Sequence, residues 1–343
     1  MKVALDLRAG GWLGGRYYLH NLALALAQLP EAERPRLVGI APGDEAEEFA
    51  GLLTPVPELP PDADIVFPNW NVPPRTAATQ LHWIPDLQHR RLRGTFSRTE
   101  RLKRELAFVR FSVPARRIVV SSESVRRDAA RAYPPFARKL HVLRFATVVP
   151  PELRASDPTE SLARYGLEPG YLLLPNQFWK HKNHGVAFAA AGELGRVLVC
   201  TGSTDDHRDP GYFARLTRDL PESVRILGVV PRDDYLQLLR GAAAVIQPSL
   251  FEGWSSIVED ARAFGKPIAL SDIAVHREQS PPGGHFFPAG DPAALAGAVE
   301  SAVGEGSVAE PDAFVAQRER ALSYARTFVA LVAEARASPA PRG

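Results

Sequence analysis

"PSLFEGWSSIVEDARAFGKPI", residues 248–268, sets Glu252 in a glycine-containing turn and Glu259 and Asp260 inside the helical run that follows. The apolar run "AAVIQPS" just before it has the length and composition of a buried strand. Strand, turn and helix in that order form the repeating unit of a parallel α/β sheet. The start of such a helix offers unpaired N–H groups, here those of about residues 254–257, and the positive end of its dipole. Carboxylates flanking an anion site repel phosphates but accept hydrogen bonds from hydroxyls. One acid for a sugar and one for a ribose, with phosphates between, is the order of groups in a nucleoside diphosphate sugar. A helix cap with exposed acids is the plainer reading of the same residues.

The alternation extends in both directions from this stretch. "KVALDL", "RLVGIA", "ADIVF", "LHWI", "RIVVSS" and "KLHVL" read as buried strands of the first half. "RYYLHNLALALAQL" and the serine-capped "SESVRRDAARAY" read as helices between them. Residues 146–170 lapse into a proline-rich stretch with turn signals. Alternation then restarts with the strands "YLLLP", "RVLVCTG", "VRILG", "AAVIQPS" and "KPIALS". Two open, doubly wound parallel sheets are expected, with ligands at the carboxyl ends of the strands in a cleft between the domains.

The totals bound the class. With 343 residues the chain suits about two domains, and 45% hydrophobic against 23% charged residues is the balance of a globular protein. A net charge of +2 is too mild to call for nucleic acid. The single cysteine, Cys200, excludes an intramolecular disulfide and reads as a small core residue. The N-terminus has no signal-peptide pattern and no run of 18 apolar residues is present, so a cytoplasmic protein without a membrane span is expected.

Two more loops after strands carry chemistry. "RAGGWLGGRYYLHN" holds Gly10, Gly11, Gly14 and Gly15 before a helix, with Arg16 behind them. Close backbone approach to a phosphate or substrate is expected there, although neither a dinucleotide fingerprint nor a P-loop is spelled. "PNQFWKHKNHG" sets Lys180 and Lys182 at a helix start, where they can neutralise a phosphate. His181 and His184 lack a local carboxylate or cysteine, so no metal site is read from them.

Taken together, these stretches resemble family-4 retaining glycosyltransferases (glycosyl transferases group 1) of the GT-B fold, in their bacterial polysaccharide-type subgroup. "PSLFEGWSSIVEDARAFGKPI" is similar to the family signature, a glutamate, seven residues and a second glutamate, and "LLLPNQFWKHKNH" to its diphosphate-binding strand and helix. "WIPDLQHRRL", "VSSESVRRDAARAYP" and "SDIAVHREQ" extend the likeness over essentially the whole chain, most strongly over residues 171–290. The resemblance implies an acceptor-binding Rossmann-like domain over residues 1–150, a nucleotide-sugar-binding one over 165–315, and a C-terminal helix and tail, 316–343, returning to the first domain.

It also implies roles. Glu252 would contact the donor sugar, and Gly253, Trp254, Ser255, Ser256 and Ile257 the sugar and phosphates. Asp260 stands where the second glutamate is usual and would reach the ribose, with Glu259 as the alternative. Lys182 matches the diphosphate lysine. The arginine usual five residues earlier is Gln177, for which Arg144 or Lys180 would compensate. Val229 falls in the loop that meets the base. The family's His-Asp pair becomes Pro85-Asp86 with His89 nearby, so Asp86 and His89 join Glu252 and Lys182 as catalytic candidates.

The implied chemistry is transfer of a sugar, with retention, from a nucleotide diphosphate sugar to a hydroxyl of a growing cell-surface glycan or lipid-linked saccharide, with no metal and no cofactor. Sugar-nucleotide binding without turnover, or a GT-B epimerase or phosphorylase, are the alternatives. Residues 90–117 hold ten Arg or Lys against Glu100 and Glu105, a net charge of +8. Their amphipathic "ERLKRELAFVRFSV" reads either as a peripheral contact with the inner face of a membrane or as a solvated helix packing by its Leu and Phe residues.

Overall fold

The structure, a computed structural model, describes residues 1–8, 13–41 and 47–337. The chain divides into two compact units. One comprises Met1–Arg93, Ser97–Val148 and the chain from Arg318; the other comprises Gly94–Phe96 and Val149–Gln317.

The first unit is built on seven strands, β1 (Lys2–Asp6), β2 (Arg36–Ile40), β3 (Thr54–Val56), β4 (Ile65–Phe67), β5 (Thr79–Ile84), β6 (Arg117–Val120) and β7 (Leu140–Val142). Their order is β3-β2-β1-β4-β5-β6-β7, and every pairing is parallel. The sheet therefore grows outward in both directions from β1 and β4. β3 was not expected from "TPV", whose proline breaks the strand pattern. Its position explains the exception, because Pro55 lies on an edge strand, paired with β2 alone, where a missing N–H costs least.

The second unit has six strands, β8 (Leu172–Leu174), β9 (Leu198–Thr201), β10 (Val224–Gly228), β11 (Ala244–Gln247), β12 (Ile268–Ser271) and β13 (Gly284–Phe287). All pair in parallel in the order β10-β9-β8-β11-β12-β13. Side chains alternate across a strand, so neighbouring residues enter different cores. Leu172, Leu174 and Cys200 pack in one core, and Leu173, Val199 and Val245 in the other. A sheet covered on both faces needs apolar residues at every position. The unbroken runs "LLL" and "LVC" follow from that. Cys200 is one of these core residues, fully buried, and burial pushes its thiol far above the ordinary range.

Two expectations need correction. The proline-rich stretch before β8 contains the helices Pro151–Ala155 and Thr159–Arg164, whose Leu153 and Leu162 join the second unit's core. Proline punctuates a helix interior but is accepted in the first turn, where Pro151 stands. β13 was also missed, because "GHFF" follows a Pro-Gly run and is only partly buried. The long helix Glu310–Ala337 starts in the second unit and continues in the first, where Ala321, Ala325, Phe328 and Val332 are fully buried.

Candidate functional site

In the second sheet, strand order reverses between β8 and β11. Loops leaving neighbouring strands diverge at such a point and leave a crevice, the usual ligand position in open α/β sheets. The loop after β8 carries Lys182, and the loop after β11 carries Glu252. Lys182 Nζ lies 2.6 Å from Glu252 Oε1, an ion pair joining residues 70 apart in sequence.

Each partner is held by its own loop. After β8 the chain makes a single 3-10 turn, Lys180–Lys182, and then Asn183 adopts the left-handed conformation with φ 57°. Asparagine tolerates this where most residues would not. Its amide donates to the carbonyls of Pro248 (3.2 Å) and Ala289 (2.6 Å), and Leu250 N donates to His181 O at 2.8 Å. The two loops are thus tied by backbone as well as by charge. Gly202, φ 129°, closes the same region from β9; a Cβ there would stand 2.5 Å from Asn176 O.

Buried amides run beneath the ion pair. Asn176 Nδ2 donates to Gln247 Oε1 at 2.5 Å. Gln247 Nε2 donates to Ser255 Oγ at 2.7 Å and to Glu252 Oε1 at 3.2 Å. Ser255 precedes the helix Ser256–Ala263, yet its hydroxyl makes no capping bond and serves Gln247 instead. Its backbone is clamped by Gln279, which accepts from Ser255 N at 3.1 Å and donates to Ser255 O at 3.0 Å. Asn176, Gln247 and Gln279 were not singled out from the sequence. The available signal was a polar residue in or next to a fully buried run, as in "VIQPS".

Electrostatics favour an ionised Glu252. Burial raises its carboxyl, but Lys182, by its charge and its hydrogen bond, outweighs burial and holds it below the ordinary range. His181 is lowered to about 3 by burial and by Lys182, and His276 is lowered mainly by burial. His184 is likewise at about 3 through burial; it stacks on Phe178 and faces Asn176 O at 3.2 Å. These imidazoles are neutral packing groups.

The acid pair inside the helix departs from expectation. Asp260 has no exposed surface, and both its oxygens are taken by the Arg232 fork at 2.7 and 2.8 Å, with Tyr235 OH at 3.0 Å on the second. Glu259 is equally buried, accepting from Gln279 at 3.0 Å and facing Arg262 at 3.3 Å. About one turn into the helix Ser256–Ala263, both acids point into the packing and neither lies on its exposed face.

The other expected residues are placed as follows. Gly253 and Ser255 are buried, while Trp254, Ser256, Ile257 and Gln177 are half-buried near the crevice loops. Val229, on the loop after β10, is 67% exposed. Lys180 is exposed on the same turn as Lys182. Gly14, Gly15, Asp86, His89 and Arg144 belong to the first unit. Gly10 and Gly11 lie outside the described residues, and Arg16 is paired with Glu48 at 2.7 Å. Asp86 accepts from Gln88 N at 2.8 Å and so shapes the turn into the short helix Gln88–Arg91. His89 lies in the packing of the first unit. Its side chain has no exposed surface, its Nε2 meets Glu105 at 3.1 Å, and its ring packs on Phe108. Among the described residues, no group of three or more His, Cys, Asp or Glu is placed to hold a metal ion.

Residues 171–305 match the model of the family described as glycosyl transferases group 1. No curated protein matches the chain. Among solved structures, Anabaena Alr3699/HepE in complex with UDP and glucose superposes with a TM-score of 0.69 at 14% identity, over 97% of this chain and all (100%) of that one. AviGT4, a glycosyltransferase involved in avilamycin A biosynthesis, gives 0.64 at 20% identity over 99% of both chains. Sucrose-phosphate synthase (tll1590) from Thermosynechococcus elongatus gives 0.64 at 16% identity over 97% of both. At these identities the likeness is one of fold. With two parallel α/β sheets, each turning about its own switch point, the chain has the GT-B fold, and its residues 171–305 match the glycosyl transferases group 1.

Proposed function

We propose that the protein is a family-4 retaining glycosyltransferase that moves a sugar from a nucleotide diphosphate sugar to a hydroxyl of a growing surface glycan or a lipid-linked saccharide, without a metal. The observation that carries this reading is the Lys182–Glu252 pair at the second sheet's switch point, beside the start of the helix Ser256–Ala263. An ammonium has three donors and one goes to Glu252, so two remain for diphosphate oxygens. The bonds that Glu252 accepts from Lys182 and Gln247 both fall on Oε1, and its second oxygen is the one assigned to the sugar's hydroxyls. Glu252 thereby orients the lysine and holds the sugar.

As the sugar–phosphate bond breaks, negative charge grows on the departing diphosphate. Lys182 and the amides of Ser256 and Ile257 at the helix start stabilise it, the Ser255 amide being held by Gln279, and donors fixed in advance by packing do so without reorganising. Lys180, on the same turn, takes the place of the arginine replaced by Gln177. Val229 is assigned to the base, and Asp260, closed in by Arg232 and Tyr235, backs that side as a tie between elements and not as a ribose contact. The leaving phosphate accepts the acceptor's hydroxyl proton on the same face, which retains the anomeric configuration. The first unit binds the acceptor, and a lipid-linked acceptor brings the basic residues 90–117 to the cytoplasmic face of a membrane. Because the HepE structure holds UDP and glucose, UDP-sugars are the first donors to test.

Thermal-shift titration with UDP, GDP, dTDP and ADP, then turnover of the stabilising donor with and without an acceptor, tests the reading. Acceptor-dependent release of nucleotide in excess EDTA, with an anomer of unchanged configuration, supports it. No stabilisation by any nucleotide, or inversion, overturns it. Gln177 favours one second reading, donor binding without turnover; binding with no release under any acceptor condition would select that.

A further inference from the structure

The first unit contains a cavity that sugar transfer does not use. The chain leaving β5 turns into the short helix Gln88–Arg91, and the chain leaving β6 enters the helix Glu123–Ala132, capped by Ser122. Residues of both line a cavity of about 160 Å³: Leu87, Arg90, Arg91, Asp128, Arg131 and Ala132. Pockets that enclose a drug-sized ligand run to roughly 300–1,000 Å³. This one has room for a single small group and excludes a nucleotide.

Its lining is rich in donors and poor in acceptors. Three guanidinium groups, with five N–H donors each, stand against one carboxylate. That carboxylate, Asp128, is already held by Arg91, whose Nε and Nη2 donate to it at 2.7 and 2.5 Å. Arg90 donates to Glu105, which does not line the cavity, at 2.6 Å, and lies over the Tyr133 ring at 4.9 Å. The Arg90 Nε is buried and has no hydrogen-bond partner among the described residues. Buried donors are paired as a rule, so this one calls for an acceptor that the chain does not supply. Arg131 is exposed, and no acid among the described residues offsets it. The two remaining lining residues, Leu87 and Ala132, are apolar.

A guanidinium fork matches the oxygens of a phosphate or a carboxylate. Two carboxylate oxygens satisfy one fork, whereas the three terminal oxygens of a phosphate group can be shared among three. We propose that this cavity binds the phosphate group of a small phosphate ester. Its oxygens are shared by Arg90, Arg91 and Arg131, and its first carbon rests on Leu87 and Ala132. The site uses neither Lys182 nor Glu252 and does not depend on the glycosyl-transfer reading.

The test is isothermal titration of the full chain with inorganic phosphate, methyl phosphate and acetate, at constant ionic strength made up with chloride. The Lys182→Ala variant is titrated beside wild type, which removes any phosphate held by the Lys182–Glu252 crevice. Both proteins should still take up phosphate saturably. Methyl phosphate should bind about fourfold tighter, the gain for one buried methyl group, and acetate at least about tenfold weaker. Adding Arg131→Gln to the Lys182→Ala chain should weaken phosphate binding at least about tenfold. The melting temperature of the ligand-free protein should not move, since Arg131 is exposed. Asp128→Asn should act in the opposite direction and tighten phosphate, because it removes the repelling charge and releases the Arg91 fork. A Lys182→Ala chain with no saturable uptake overturns the proposal, as does an Arg131→Gln variant that binds like its parent. Acetate binding as tightly as phosphate overturns the assignment to phosphate. Methyl phosphate binding no tighter than inorganic phosphate overturns the ester and leaves the free anion as the ligand. Loss of nucleotide binding in the wild type would sink the glycosyl-transfer reading and leave these titrations untouched.

Discussion

Two acid–cation pairs stand on either side of one helix start, and their surroundings differ. Lys182 and Glu252 retain 16 and 10% of their side-chain surface, and the bonds Glu252 accepts in the network fall on one oxygen. Asp260 retains none, and Arg232 with Tyr235 uses both of its oxygens. The first pair is supported from below by amides and keeps some surface on both partners; in the second the carboxylate is enclosed and only Arg232 keeps surface. A carboxylate held on one side only can still exchange partners with a ligand, whereas one held on all sides acts as a tie between elements. The contrast predicts that variants at the first pair cost activity and variants at the second cost stability.

The largest effect should come from Lys182→Ala, which should slow transfer by about 10²–10³-fold and weaken nucleoside diphosphate binding with it. Kinetics and binding that both stay within about twofold of wild type, roughly 0.4 kcal/mol, would place the phosphate site elsewhere. Glu252→Gln keeps the shape and removes the charge; transfer should fall about a hundredfold while the melting temperature moves by only a few degrees.

Asp260→Ala should reverse that pattern. It leaves Arg232 without its fork and should cost about 3 kcal/mol, the low end for a broken buried pair because Arg232 is partly hydrated. Urea unfolding measures it. A stable Asp260→Ala variant with impaired nucleotide binding would erase the distinction between the pairs.

Acid should separate them further. His181 and His184 titrate at about 3 in the fold against an ordinary 6.5, so the folded state binds fewer protons than the unfolded one. The stability they contribute is complete above pH 6.5 and is lost as pH falls from there toward 3. Each should contribute a slope of roughly 1.4 kcal/mol per pH unit in that window, and His184→Gln should remove one such contribution. Glu252, with its carboxyl lowered, adds a loss only below its ordinary 4.5. The smallest effect belongs to Glu259→Gln, about 1 kcal/mol of stability with nucleotide affinity unchanged. A drop in affinity instead would make Glu259 a ribose contact.

Much of the second unit was legible because its signals are local. Five of its six strands are apolar runs, and both loops that meet in the site follow such runs. Lys182 and Glu252 were visible at the ends of those strands. Their pairing was not, since nothing local to residues 180–182 or 252 says that β8 and β11 are neighbours. The surroundings of His89 were hidden for the same reason: its neighbourhood in sequence is polar and basic, but a helix further along the chain folds over it and supplies Glu105 and Phe108.

Hydrophobic periodicity and turn chemistry determined by themselves that this chain makes parallel α/β sheets, where most of its elements begin, and which loops sit at strand ends, because those follow from backbone geometry within a few residues. Tertiary structure alone decided which acid faces the crevice, which is locked in packing, and which arginines line one cavity. Burial and charge pairing depend on groups brought together from distant parts of the chain, and no window of sequence contains both partners.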